Sequence, residues 1–309
     1  MKTKTPSRLE KILAAGHLAV TSECGPPRGS DPAVVEKKAA LICDHVDAVN
    51  VTDNQTSMTR MCSLAACIRL KQMGVEPVLQ MVTRDRNRIA LQSDILGAAC
   101  FDIYNILCLS GDHQSFGDCA RGQNVHDIDS MQLLQTVRRM RDEGKFLGGD
   151  DIGRPPQMFV GAAANPFADP YEIRVPRLAK KAAAGAEFIQ TQCIYNLEKF
   201  EQWMAEARDR GITEKVYILA GLTPMKSAGM ARYMKNRVPG MDVPEEVVQR
   251  MADAPKEKQP QTGIDMCVEA IERLKEVKGV AGFHVMAIEW EEKVPEIVER
   301  AGLFPRPEV

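Results

Sequence analysis

Short runs of apolar, β-prone residues recur at 18–22, 48–51, 77–82, 103–109, 158–162, 188–192, 216–220 and 283–288. Between them, apolar residues return at three- and four-residue steps, the spacing of one helix face. This predicts eight strands alternating with helices over 33–45, 58–73, 86–96, 130–143, 171–184, 197–210, 227–236 and 263–277. Gly74, Gly97, Gly185, Gly211 and Gly279 each stand just before a strand, where a glycine accepts the left-handed conformation that ends a helix. The first four strands recur about every 30 residues, the length of a βα unit. The interval widens in two insertions, within 111–157 and over 238–262, both expected to form surface loops or short helices. Eight parallel strands can close into a barrel or form an open sheet. The count favours the barrel, and no Gly-x-Gly-x-x-Gly turn follows the first strand. The expected fold is therefore α/β, a single (β/α)8 TIM barrel over 1–309.

Composition agrees with one large domain. The chain has 309 residues, 44% apolar and 27% charged, and such a barrel needs roughly 250. A net charge of −2 offers no global field to attract nucleic acid or an anionic membrane. No apolar run approaches the roughly 20 residues that span a bilayer, and the polar start at 1–8 lacks the apolar stretch of an export signal. A cytoplasmic protein is expected. The nine cysteines follow no regular framework and include no Cys-x-x-Cys pair. Reduced thiols are expected, with no zinc or iron–sulfur site in this chain.

In a parallel barrel the active site gathers at the C-terminal strand ends. Those ends are polar here: Ser22-Glu23, Thr52 to Gln55, Gln80 and Thr83, Ser110 to His113, Asn165, Gln190 and Gln192, Thr223, and Glu289. Glu23 and Asp112 are thereby expected at one mouth. A carboxyl in a partly dry cleft beside another acid can keep its proton and act as a general acid. Alternatively, either acid simply pairs with a nearby Lys or Arg. The small residues Gly161 to Ala164 can admit a flat heterocycle against the backbone, or serve close packing of a helix on the strand.

Ser22-Glu23-Cys-Gly-Pro-Pro-Arg28 resembles the Glu-x-x-Pro-Pro-Arg signature of the methylenetetrahydrofolate reductases. Val49-Asn-Val-Thr52, Leu109-Ser-Gly-Asp112, Gly161-Ala-Ala-Ala-Asn-Pro166, the segment 184–192, Ile218-Leu-Ala-Gly-Leu-Thr-Pro224 and Gly282-Phe-His284 resemble the family's later strand ends in order. The resemblance covers about residues 15–303. It implies a flavin, FAD or FMN, whose reduced form passes hydride to 5,10-methylenetetrahydrofolate, giving 5-methyltetrahydrofolate. It also implies Glu23 as the acid that protonates N10, Asp112 as the charge stabilising the cationic iminium, and Gln192 on the pterin edge. Thr52, Gln80, Ser110, Gly111, Asp112, Ala163, Asn165 and Lys181 become cofactor-binding candidates, with Lys181 near the flavin phosphate. Tyr233, with Met230 and Met234, falls where the family stacks an aromatic on substrate or nicotinamide.

Four positions depart from the family pattern. Gln80 stands where His is frequent, Ser110 replaces an Arg, Asn165 replaces an aromatic, and Arg174 falls near a usual acid. These departures leave FAD and FMN both open. The chain resembles the short reductases of acetogenic and related anaerobes. In such proteins electrons come from NADH, or through a zinc- and iron–sulfur-containing partner subunit, in a one-carbon route of the Wood–Ljungdahl type. An oligomer is expected. Two other readings stand beside this one: a flavin-free pterin-binding barrel that transfers a methyl group, and a non-catalytic partner subunit.

Overall fold

The computed structural model describes residues 3–309, so Met1 and Lys2 of the polar start lie outside the described residues. In chain order the elements are α1 (Arg8–Ala14), β1 (Ala19–Cys24), α2 (Pro32–Ala40), β2 (Ala48–Val51), α3 (Ser63–Gln72), β3 (Pro77–Val82), α4 (Arg88–Cys100), β4 (Asn105–Leu109) and α5 (Ser130–Asp142). They continue with β5 (Phe159–Ala164), α6 (Arg174–Ala184), β6 (Phe188–Cys193), α7 (Leu197–Asp209), β7 (Tyr217–Leu222), α8 (Ala228–Arg237), α9 (Glu245–Asp253), α10 (Gln259–Lys275), β8 (Val280–Val285) and α11 (Val294–Arg300). The eight strands pair in parallel as one closed barrel, with β1 beside β8.

Alternation along each strand sorts the interior into layers. Ala19, Ala48, Val78, Leu107, Phe159, Phe188 and Leu219 form an apolar floor, sealed from below by Leu9, Ile12 and Leu13 of α1. The Phe159 and Phe188 rings stack with centroids 4.9 Å apart. Two residues further along the strands the layer is polar and buried: Thr21, Asn50, Gln80, Gln190 and His284. Above it lies the mouth.

The structure corrects several expectations. Gly97 lies inside α4, and the turn before β4 is made by Asp102, at φ 55°. Gly74, Gly185, Gly211 and Gly279 do take positive φ. The last strand begins at Val280 and ends at Val285, three residues before the expected 288, so Glu289 sits beyond the strand in an exposed turn at φ 49°. Helix α10 starts at Gln259 rather than Gly263 because Pro260 fits its first turn. Gly263 is there for contact, since a Cβ would lie 1.8 Å from the Met225 carbonyl oxygen. Helix α9 occupies the second insertion, and an antiparallel Lys145–Asp151 bridge lies in the first.

Candidate active site

A cavity of about 400 Å³ opens at the C-terminal end of the barrel, lined in part by Glu23, Gln80, Ser110, Ala163, Asn165, Lys181, Gln192 and His284. A larger cleft, about 700 Å³, lies around Tyr104 and Arg141 at the N-terminal face, the end where a barrel carries stability rather than catalysis.

Glu23 is half-buried, one position above the polar layer. Gln80 Nε2 donates to Glu23 Oε1 at 3.3 Å, and His284 Nε2 stands 3.6 Å from the same oxygen. Beneath them Asn50 and Gln190 exchange amide hydrogen bonds of 2.7 and 3.0 Å. Gln192 Oε1 accepts from Cys193 N at 3.0 Å, which leaves its NH2 to face the cavity.

The opposite wall is cationic. Lys181 sits one turn after Leu178 on the buried stripe of α6, so its stem follows the barrel wall and its Nζ donates to the Ala163 carbonyl. Burial, reinforced by nearby Arg177, lowers its pKa from 10.5 to about 8. Arg174 curls back on the β5–α6 loop, donating from Nε to Ala168 O at 2.6 Å. Ser110 Oγ donates to Ser130 Oγ at 3.1 Å, joining the end of β4 to the start of α5.

Other expected site residues take different places. The Asp112 carboxylate does not line the cavity; it accepts from Thr56 N at 3.0 Å, while Ser57 and Arg84 donate to its backbone carbonyl. The loop carrying that N–H is held by left-handed Asn54, Thr56 and Ser57. Gly111, at φ +85°, packs under Val82 and Arg84, where a Cβ would meet Val82 Cβ at 3.1 Å. Thr52 is buried and donates to Gln55 Oε1 at 2.8 Å. Tyr233 is 60% exposed and outside the lining.

Asn165 lines the cavity, yet its polar atoms are committed to protein. Its Oδ1 accepts from Phe167 N and Ala168 N, and its Nδ2 donates to Gly240 O at 3.0 Å, strapping the second insertion to the end of β5. The space beside Gly161 belongs to Phe188, whose Cζ would lie 2.2 Å from a Cβ there. Only Ala163 and Ala164 offer the small wall expected of that segment. His284, Arg177 and Ser130 are lining residues that sequence reasoning missed. The signal for His284 was obscured because a strand starting at 283 puts it at the barrel floor, whereas the observed strand puts it beside Glu23.

The sequence profile of the family described as methylenetetrahydrofolate reductase matches residues 8–302. A Caenorhabditis elegans protein named "Probable methylenetetrahydrofolate reductase (NADPH)" is 23% identical over 96% of this chain, which spans 39% of that protein. A Schizosaccharomyces pombe protein, methylenetetrahydrofolate reductase 2, is 26% identical over 67% of this chain, the match spanning 32% of its length. The chain thus spans about a third to two fifths of these relatives. Among solved structures, an uncharacterized Clostridium thermocellum protein described as binding two copies of 5-methyl-5,6,7,8-tetrahydrofolic acid superimposes with a TM-score of 0.60 at 13% identity. The match covers 95% of this chain and 97% of that one.

Proposed function

Because this chain belongs to the methylenetetrahydrofolate reductase family, we propose that it reduces 5,10-methylenetetrahydrofolate to 5-methyltetrahydrofolate with a bound flavin, at the cavity around Glu23. One observation carries the reading: a single carboxyl group at the cavity base, met by amide and imidazole nitrogens, faces a small-residue wall backed by a buried cation. The methylated folate that the Clostridium thermocellum protein is described as binding supports the substrate class.

The chain's own residues fit a flavin. Ala163 and Ala164 leave room for a planar ring, and Lys181 has a backbone carbonyl rather than a carboxylate as its hydrogen-bond partner. A buried ammonium so placed is stabilised by a phosphate oxygen. Lys181 and Arg177, with Ser110 and Ser130 at the same rim, would hold the phosphate end of FAD or FMN. When bound and reduced, the flavin supplies hydride.

The protein must also supply a proton. The one-carbon bridge of the substrate opens only when N10 is protonated, and Glu23 is the group positioned to give that proton. Gln192 donates from Nε2 to the pterin edge. Asp112, tied to Thr56, contributes fixed negative charge beyond the cavity lining rather than direct contact. Electrons reach the site from NADH, or from a partner subunit carrying zinc and iron–sulfur centres.

The test is the absorption spectrum of the purified protein, followed by release of the chromophore and identification by mass. A yellow protein carrying FAD or FMN, bleached anaerobically by 5-methyltetrahydrofolate, is the expected result. A colourless protein that takes up neither flavin would overturn the proposal and leave the methyl-transfer reading.

A further inference from the structure

We infer that Cys193 and Thr223 are positioning residues that lock the Gln192 side chain, its oxygen toward the barrel wall and its NH2 toward the cavity, a role that rests on the proposed reading of this cavity as the folate site. The device begins with a fault in the sheet. Gln190 pairs with Leu219 and Cys193 with Gly221, so three steps along β6 match two along β7. Gln192 thus lies in a bulge, a feature that re-aims side chains beside active sites. Thr191 bridges the interrupted ladder, its hydroxyl accepting from Gly221 N at 2.8 Å and donating to Gln192 O at 3.0 Å. Gly221 permits this close pass, since a Cβ there would lie 2.1 Å from Thr191 O and 3.0 Å from Gln192 O.

The bulge aims Gln192 but does not fix its amide. A long side chain left free would lose rotamer freedom on meeting the pterin, which weakens binding. Cys193 and Thr223 remove that cost beforehand. The backbone N–H of Cys193 can only donate, so the Gln192 atom facing it at 3.0 Å is Oε1. Cys193 Sγ stands 3.5 Å from the same oxygen and 2.9 Å from Thr223 Oγ1. One arrangement of protons serves both contacts. Oε1 only accepts, so the thiol proton goes to Oε1 and the Thr223 hydroxyl proton goes to sulfur. Tyr195 holds the far end, donating from its hydroxyl to Thr223 O at 3.1 Å.

Cys193 and Thr223 are 2% and 4% exposed, so water does not compete for these weak bonds. Burial pushes the Cys193 thiol up to about 12, and the sulfur keeps the proton it donates throughout the neutral range. Both Nε2 protons of Gln192 are left for acceptors on the substrate edge.

The first experiment uses no activity. The Raman S–H stretching band of Cys193 is isolated as wild type minus Cys193→Ala. It is expected on the low-frequency side of an unbonded thiol, and displaced in both Gln192→Ala and Thr223→Val. A band at the position of an unbonded thiol, or one indifferent to Gln192→Ala, overturns the inference.

The second experiment is a double-mutant cycle read by titration with 5-methyltetrahydrofolate. Cys193→Ala should weaken binding roughly five- to tenfold, the cost of immobilising one freed side chain, with flavin affinity unchanged. In the Gln192→Ala background the same substitution should change folate affinity by less than about twofold, because the two residues act as one unit. Equal losses in both backgrounds would mark a packing role independent of Gln192 and overturn the inference. A wild-type protein that binds no folate would sink the proposed function instead, and the Raman band would still decide whether Cys193 holds Gln192.

Discussion

Replacing Lys181 by Met should make the ligand-free protein more stable at neutral pH. A lysine whose pKa falls from 10.5 to about 8 resists its own charge by about 3 kcal/mol, at about 1.4 kcal/mol per pH unit. The sign follows from linkage. Between pH 8 and 10.5 the unfolded chain holds this proton and the folded chain has released it, so stability attributable to Lys181 rises with pH across that window. Below pH 8 the full cost is present. Met keeps the apolar stem along α6 and removes the ammonium, at the loss of about 1 kcal/mol for the hydrogen bond to Ala163. A net gain of about 2 kcal/mol at pH 7 is expected.

Cys24, Cys193 and Cys267, each pushed up to about 12 by burial, impose the opposite slope above pH 9, because the unfolded thiols ionise first. The wild-type minus K181M difference cancels them. Urea denaturation at half-unit steps from pH 7 to 10.5 should show that difference shrinking through the window. A variant less stable than wild type at pH 7, with a difference flat in pH, would mean that the buried ammonium carries no such cost. The same substitution should weaken flavin affinity, a trade between stability and function.

Gly161→Ala drives a methyl group into the Phe188 ring and should cost roughly 1–3 kcal/mol in urea denaturation, with Phe188→Leu recovering most of the loss in the double variant. Arg306 pairs with Asp47 at 2.6 Å, the two side chains 5% and 0% exposed. Arg306→Met leaves the buried Asp47 with the Val20 N–H at 2.8 Å and the Arg8 guanidinium at 3.6 Å and should cost about 3 kcal/mol, measurable as a lowered denaturation midpoint. Gln192→Leu should raise the KM for folate about tenfold with little change in flavin binding, which steady-state kinetics and flavin titration would separate.

The barrel is legible in the sequence because its signal is periodic and repeated: the apolar runs place seven of the eight strands within two residues of where they lie. The exceptions have local causes. Helix α9 lies between Pro244 and Pro255, which read as loop residues but here flank a helix as its first cap and its stop. The seven-residue α1 and α11 are too short to announce themselves without the surfaces they cover.

At the site, the residues that face the cavity along strands are the readable ones. Glu23, Gln80, Ala163 and Gln192 depend only on the two-residue alternation. Loop residues are harder. Asp112 is tied to Thr56 through a loop that is left-handed at Asn54, Thr56 and Ser57, and Asn165 is captured by Gly240, a partner 75 residues away. No local pattern encodes either contact. The error at β8 is small in register and large in consequence, because a strand that starts three residues late puts His284 at the level of the floor instead of in the polar layer beside Thr21.

Whether Glu23 is the acid of a flavin-dependent folate reduction is decided by anaerobic stopped-flow absorbance of Glu23→Gln, with the two half-reactions recorded separately. Flavin should stay bound and be reduced by its donor at the wild-type rate, while reoxidation by 5,10-methylenetetrahydrofolate slows by at least about 100-fold. Reoxidation of that variant at a near wild-type rate would rule Glu23 out as the proton donor.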